Sequence, residues 1–299
     1  MTPKDHLDTF GTVSLIGFAF LLAFNQVVIA VGGDGWQPAF MAALRSVGSA
    51  IVLYFWLRFR GISFTLERPQ WPTAVLMGLI FGAEFLFLFT ALDLTTVSRA
   101  SVIFYAMPVW AALLSRIFLG EGMTGTKLLG LGVAFAGMAW AILDGQTIEG
   151  GSLAGDLCAL AASFLWAAIL IVLKGSNIKD LSPEVQIFWQ VFLSIPVLFA
   201  GSLFFGPFVR ELAPVHWFAL GFQILAISSF GFLFWLWLIK LYPASSVASF
   251  SFLSPVFSVA LGAALLGEEV GLSLLGALGL VTLGLILINR RPRQVPQKV

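Results

Sequence analysis

Charge is scarce in this 299-residue chain. Asp, Glu, Lys and Arg together make 10% of it, against 59% hydrophobic residues, and mean hydropathy is +0.98. Soluble domains carry about 25% charged residues. So little charge cannot cover a water-facing surface, which excludes an ordinary soluble globule. A net charge of +1 excludes the strong field that nucleic acid or acidic partners would call for. Cys158 is the only cysteine, so no internal disulfide can form. The two histidines, His6 and His216, lie far apart. No HExxH, GxSxG or Walker A pattern occurs. No catalytic residue, metal or cofactor is expected, and no enzyme. The first ten residues lack a small-residue cleavage site, so the first apolar run reads as a retained helix.

What is present is long apolar sequence. A membrane-crossing helix needs about 20 mostly apolar residues. Ten runs meet that need, at roughly 11–31, 38–59, 72–92, 97–118, 127–144, 153–173, 184–204, 215–239, 245–265 and 272–289. Gly, Pro and charge punctuate them, as in Arg68-Pro69-Gln70-Trp71-Pro72 and Gly206-Pro207. The runs are continuous rather than alternating, which excludes strands as the spanning element. The expected fold class is an all-α membrane protein of ten helices. Lys and Arg set the orientation. With the N-terminus inside, about 13 of them fall at inner ends and loops, from Lys4 and Arg58 to Arg293 and Lys298. Only Arg99 and Arg210 fall outside. Both termini are therefore expected in the cytoplasm, in a bacterial inner membrane.

The chain also repeats itself. Moved forward by 147 positions, residues 85–137 fall on 232–284 without a gap, and about fifteen of 53 positions match. Phe85-Leu86-Phe87 meets Phe232-Leu233-Phe234, and Ser98 meets Ser245. Pro108-Val109 meets Pro255-Val256, and Leu119-Gly120-Glu121 meets Leu266-Gly267-Glu268. The earlier helices match more weakly, with Gly11 over Gly155 and Arg45 over Gln190. An offset of five helices is odd, so the two halves, 11–144 and 153–289, are expected to be inverted. Inverted halves give two pseudo-equivalent states, the basis of alternating access.

These residues resemble the drug/metabolite transporter superfamily, in its ten-helix branch with two EamA-type repeats. The Pro108 and Pro255 helices, each followed by Leu-Gly-Glu, carry the resemblance, with Arg45 and the Gly-rich fifth and tenth helices in support. It implies a cavity lined by helices 1–4 and 6–9, with 5 and 10 at the periphery. It implies export of small metabolites, amino acids above all. The chain is also similar to the aromatic amino-acid exporters of that superfamily. It departs from many relatives at Phe24-Asn25-Gln26, where they have a Trp-Gly pair.

Arg45 and Glu84 are the charges nearest mid-helix. Counted at 1.5 Å per residue, each sits roughly 10–12 Å below the outer face, a depth that suggests a pair. Structural ion pair, substrate or gate site, and proton coupling through Glu84 are all open readings. An unpaired charge in the bilayer costs about 2.5 kcal/mol or more. Asn25 and Gln190 add amides that either bridge helices or meet a ligand. Pro108 and Pro255 are expected as mid-helix hinges that free backbone carbonyls. Ser101, Tyr105 and Trp110 lie beside the first of them, Ser251 and Ser254 beside the second, and Trp166 lies inside the bilayer. With Arg45 and Glu84, these are the candidate site residues. The 30 Phe and 10 Trp favour an aromatic wall. Gly132, Gly137, Gly276, Gly279 and Gly284 read as packing faces, with dimerisation the alternative. The expected protein is a secondary exporter of aromatic or hydrophobic amino acids. Its partners are a small-molecule substrate and the lipid bilayer, not nucleic acid, and it is a monomer or homodimer. Rival readings are an exporter of nucleosides, nucleotide-sugars or cationic compounds, and a non-transporting membrane subunit.

Overall fold

The computed structural model of the chain describes residues 8–144, 151–242, 250 and 252–289. Twelve α-helices run through them: α1 (Thr9–Gly35), α2 (Pro38–Phe59), α3 (Trp71–Leu94), α4 (Val97–Phe104), α5 (Met107–Phe118), α6 (Gly125–Asp144), α7 (Leu153–Gly175), α8 (Pro183–Ser202), α9 (Pro214–Phe222), α10 (Phe232–Leu241), α11 (Leu253–Leu266) and α12 (Leu272–Asn289). They build ten segments, because α4 with α5 forms the fourth and α9 with α10 the eighth. Eight segments are long and apolar enough to cross a membrane, and α11 and α12 are shorter apolar helices. The expected ninth run began at 245, and its first residues lie outside the described ones.

The helix starts follow local chemistry. Asp8, Ser152 and Ser182 each accept a backbone N–H three residues on, which supplies the N-caps of α1, α7 and α8. Pro38, Pro72, Pro183 and Pro214 occupy first-turn positions, where the missing N–H costs nothing. Pro108 acts more strongly than a kink. It has no N–H for the carbonyl of Phe104, and the helix stops at Phe104 and restarts at Met107. Pro255 lies in the first turn of α11. The eighth segment holds a second irregularity, a π-helical stretch over Gln223–Gly231.

The two halves interleave. α1 packs on α11 and α9, α3 on α7 and α8, and α2 on α8. α6 and α12 pack mainly on each other, off this central group. A Cβ on Gly130 would lie 2.8 Å from the carbonyl of Gly284, and one on Gly137 2.9 Å from that of Ala277. Those glycines therefore serve a close helix seam, whereas Gly132 and Gly279 face open space.

At one end of the bundle, called here the Asp93 end, side chains tie the halves together. Arg210, between α8 and α9, grips Asp93 through both carboxylate oxygens, at 2.5 and 2.8 Å, and donates to the Gly33 carbonyl at 2.8 Å. The hydrogen bonds to Asp93 hold the Arg210 guanidinium pKa above its usual range, against a smaller effect of burial. Gln37 donates to Ser202 at 2.6 Å, and the Trp36 indole donates to His216 at 3.2 Å. At the opposite end the ties among the described residues include Thr73 to Asn177 at 3.0 Å, Asn177 to Pro69 at 2.7 Å, Trp189 to Phe64 at 2.8 Å and Tyr242 to Asp8 at 2.7 Å.

Candidate functional site

The break in the fourth segment places Tyr105 in the middle of the bundle. Its hydroxyl accepts from Gln26 of α1 at 3.4 Å. The neighbour of Gln26, Asn25, is turned by about 100° and accepts from Gln223, the first residue of the π-helical stretch. In that stretch the Ser229 hydroxyl donates to the carbonyl five residues back, at 2.7 Å. π turns are rare and concentrate at functional sites. Three amides and a phenol thus link the first, fourth and eighth segments. The buried oxygens Gln26 Oε1 and Gln223 Oε1 have no hydrogen-bond partner among the described residues.

Arg45 and Glu84 lie next to this group. Both are wholly buried, at 1% and 0% exposure. The direct ion pair expected from their equal depth is not made. Arg45 lays its guanidinium over the ring of Phe85, 3.6 Å from the centroid, with Phe89 at 5.3 Å. Phe85 comes directly after Glu84 in sequence, so the opposite charges are close without touching. Among the described residues, Arg45 Nε and Nη1 and both oxygens of Glu84 have no hydrogen-bond partner. The ring face offsets part of the cost of burying the cation. The ion pairs among the described residues are others: Arg99–Asp156, Lys174–Glu121 and Arg210–Asp93.

The remaining candidates divide. Among the described residues the buried hydroxyls of Ser101, Ser163 and Ser228 have no partner, whereas Ser258 hydrogen-bonds the Tyr105 hydroxyl. Ser254 and Gln190 are buried, on α11 and α8. Trp166 meets Phe104, 6.3 Å between ring centroids, one residue from Tyr105. Trp110 differs from the expectation. It packs against Phe135 of α6, 5.0 Å away, and Phe164 of α7, 5.6 Å away. The restart at Met107 resets the helical phase, so Trp110 turns to the α6 flank instead of standing with Tyr105. Ser251 lies outside the described residues. Among the described residues, buried polar atoms without a hydrogen-bond partner lie on segments 1–4, 6 and 8, with Thr282 on the tenth, and they can offer hydrogen bonds to a small polar solute.

Sequence reading missed three parts. Arg99 is not a surface charge but pairs with Asp156 inside the bundle and donates to the Ala141 carbonyl at 2.8 Å. The π-helical stretch has no sequence signal beyond Gly231. Glu268 was legible only as part of a matched motif, yet it caps α4.

Comparison with known proteins agrees with this architecture. The EamA-like transporter family matches twice, at residues 9–143 and 153–290. The chain belongs to that family. It is a multi-pass membrane protein of a transporter family, which is not an enzyme class. A probable amino-acid metabolite efflux pump of Escherichia coli strain K12 is 28% identical over 271 residues, 86% of this chain and 88% of the relative. A protein of the same description from Salmonella typhimurium is 29% identical, over 91% and 93% of the two chains. The uncharacterized inner membrane transporter YedA of Escherichia coli K12 is 27% identical, over 95% and 92%. One solved crystal structure shares the fold at a TM-score of 0.61 and 21% identity, covering 93% of this chain and 98% of its own.

Proposed function

We propose that this transporter exports amino acids, aromatic or hydrophobic ones above all, by alternating access between two inverted halves. The observation that carries this reading is the pair Arg45 and Glu84: two buried charges of opposite sign, close but not bonded, with unpartnered atoms on both. A zwitterion carries the two complementary charges about one residue's width apart. Its carboxylate suits the guanidinium fork, and its ammonium suits Glu84. Asn25, Gln26, Gln190, Ser101, Tyr105 and Ser254 supply neutral hydrogen-bonding groups, and Trp166 with Phe104 supplies apolar wall for a side chain. Pro108 and Pro255 are the hinges of the two equivalent helices. The Lys and Arg distribution puts both termini in the cytoplasm and the Asp93 end outside. The Escherichia coli and Salmonella relatives, described as probable amino-acid metabolite efflux pumps, support the substrate class.

A second reading has one observation behind it. Glu84 has no hydrogen-bonded partner, so its carboxylate is open to a cationic compound. Proteoliposome counterflow decides between the two. Purified protein should exchange labelled phenylalanine or tryptophan, and neither Lys-like cations nor planar cationic dyes should compete well. Exchange of a cationic compound with no exchange of any amino acid would overturn the proposal. Repeating the assay with and without a pH gradient reads out proton coupling.

A further inference from the structure

Two copies of one motif fold alike here and differ in what their carboxylates hold. In Leu119-Gly120-Glu121 the glycine has φ 66°, and the Glu121 N–H donates to the Ser115 carbonyl at 3.2 Å. In Leu266-Gly267-Glu268 the glycine has φ 68°, and the Glu268 N–H donates to the Gly262 carbonyl, also at 3.2 Å. Each left-handed glycine ends its helix and aims the next side chain off the helix end. Glu121 then lies at the surface, 46% exposed, 3.5 Å from the still more open Lys174. Such an exposed pair contributes little.

Glu268 instead reaches into the other half of the molecule. Its Oε1 accepts the Val97 N–H at 2.5 Å, and its Oε2 accepts the Ser98 N–H at 2.9 Å and the Ser98 hydroxyl at 2.5 Å. These are charge-assisted bonds to the first turn of α4, where the helix dipole favours an anion. Gly262 makes the room. A Cβ there would overlap Glu268 Oε2 and lie 2.7 Å from Ser98 Oγ. At the offset of 147 the counterpart of Gly262 is Ser115, so the first copy of the motif cannot seat a carboxylate in the same way. The duplication has kept two identical turns and one engaged carboxylate.

We propose that Glu268, Ser98 and Gly262 form a one-sided latch that closes the Asp93 end of the transport path and releases when that end opens. α4 is the part it holds. The whole of α4, from the latch to the break at Tyr105, is eight residues long, so it is a short rigid lever with Ser101 on it. Nearby, Arg99 and Asp156 also join the halves, but both are almost wholly buried, and separating them would strand two charges. Glu268 is only half-buried; its bonds can be exchanged for bonds to water. That makes it the releasable tie. The latch rests on the alternating-access part of the function proposed above and on no particular substrate.

Thiol accessibility tests it. In a Cys158→Ala background, Ser101→Cys places a reporter one turn below the latch. A membrane-impermeant maleimide is applied to right-side-out and to inside-out membrane vesicles. Glu268→Gln and Gly262→Ser, which copies the first repeat, should each speed labelling from the Asp93 face by about tenfold or more. Ser98→Ala and Glu268→Asp, which keep part of the bonding, should give smaller increases of the same sign. Glu121→Gln should leave that face unchanged. Labelling that stays within about twofold of the parent in folded Glu268→Gln and Gly262→Ser, or that rises equally from both faces, would reduce the cap to a structural one. If those two variants do not fold, Ser98→Ala and Glu268→Asp decide by the same comparison. No substrate enters the assay, so a parent protein that fails to exchange amino acids would overturn the exporter reading and leave the latch standing.

Discussion

Arg99, in the first turn of α4, is bound to Asp156, in the first turn of α7, with both side chains shut away from solvent. Thr95 donates to the same carboxylate at 3.2 Å. The pair therefore fixes the α3–α4 corner of one repeat to the opening turn of the other. Gly155 lies so near that corner that a Cβ would come within 2.7 Å of Thr95 Cβ.

Removing one partner leaves the other charged and buried. Arg99→Ala or Asp156→Ala should lower stability by about 3–5 kcal/mol, read as thermal unfolding in detergent. Breaking the exposed Lys174–Glu121 pair should cost less than about 1 kcal/mol. Equal losses from the two pairs would show that the burial of Arg99 and Asp156 carries no energetic weight.

Arg45 and Glu84 should behave differently from a bonded pair. Glu84→Gln leaves Arg45 buried without the opposite charge beside it but breaks no hydrogen bond, so stability should fall by less than the about 3–5 kcal/mol of a bonded pair, while amino-acid counterflow falls by about tenfold or more. Arg45→Lys keeps the charge but loses the flat group on Phe85, and should also impair counterflow. Full transport in a folded Glu84→Gln protein would remove Glu84 from the substrate site.

Trp166 and Trp110 should separate by substrate. Trp166→Ala should weaken exchange of phenylalanine and tryptophan by the equivalent of about 1–3 kcal/mol, and that of small polar amino acids much less. Trp110→Ala should instead lower thermal stability with little change in selectivity, because its partners are Phe135 and Phe164. A uniform loss across all amino acids in Trp166→Ala would point to packing alone.

Arg210 gives a pH prediction. Its folded pKa is raised by Asp93. The stability that this group contributes is therefore complete below its unfolded pKa and lost only as pH rises through the folded one, far above neutrality. The melting difference between the parent and Arg210→Ala should be the same at about pH 6 and about pH 9. A difference that shrinks toward the higher pH would contradict this.

Topology can be read directly. A reporter fused after Arg293 should signal cytoplasm, and one inserted between Gly145 and Ser152 should signal the outer side. The same side for both would break the inverted arrangement.

The segment edges were legible because Pro and Gly act locally. Pro38, Pro183 and Pro214 stand at the first residues of their helices. Depth was legible too, since Arg45 and Glu84 can be counted from helix ends. Direction was not. A helix that is apolar all round has no polar face to reveal its rotation, so nothing in the sequence turned Arg45 onto Phe85 rather than onto Glu84. The break at Tyr105 reset the phase for Trp110 in the same hidden way. Asp156 escaped notice because its partner, Arg99, had been counted with the surface charges.

The π-helical stretch before Phe232 leaves a last mark on the repeat. Phe85-Leu86-Phe87 and Phe232-Leu233-Phe234 are the same three letters, and the first set sits in an unbroken α-helix. The second comes after nine residues wound more widely, and each residue of excess in such a turn swings the later side chains by about 100°. Phe87 is 37% exposed, whereas its counterpart Phe234 packs among Phe18, Phe230 and Trp237. The ancestral duplication has thus kept its spelling there while its two copies meet different surroundings.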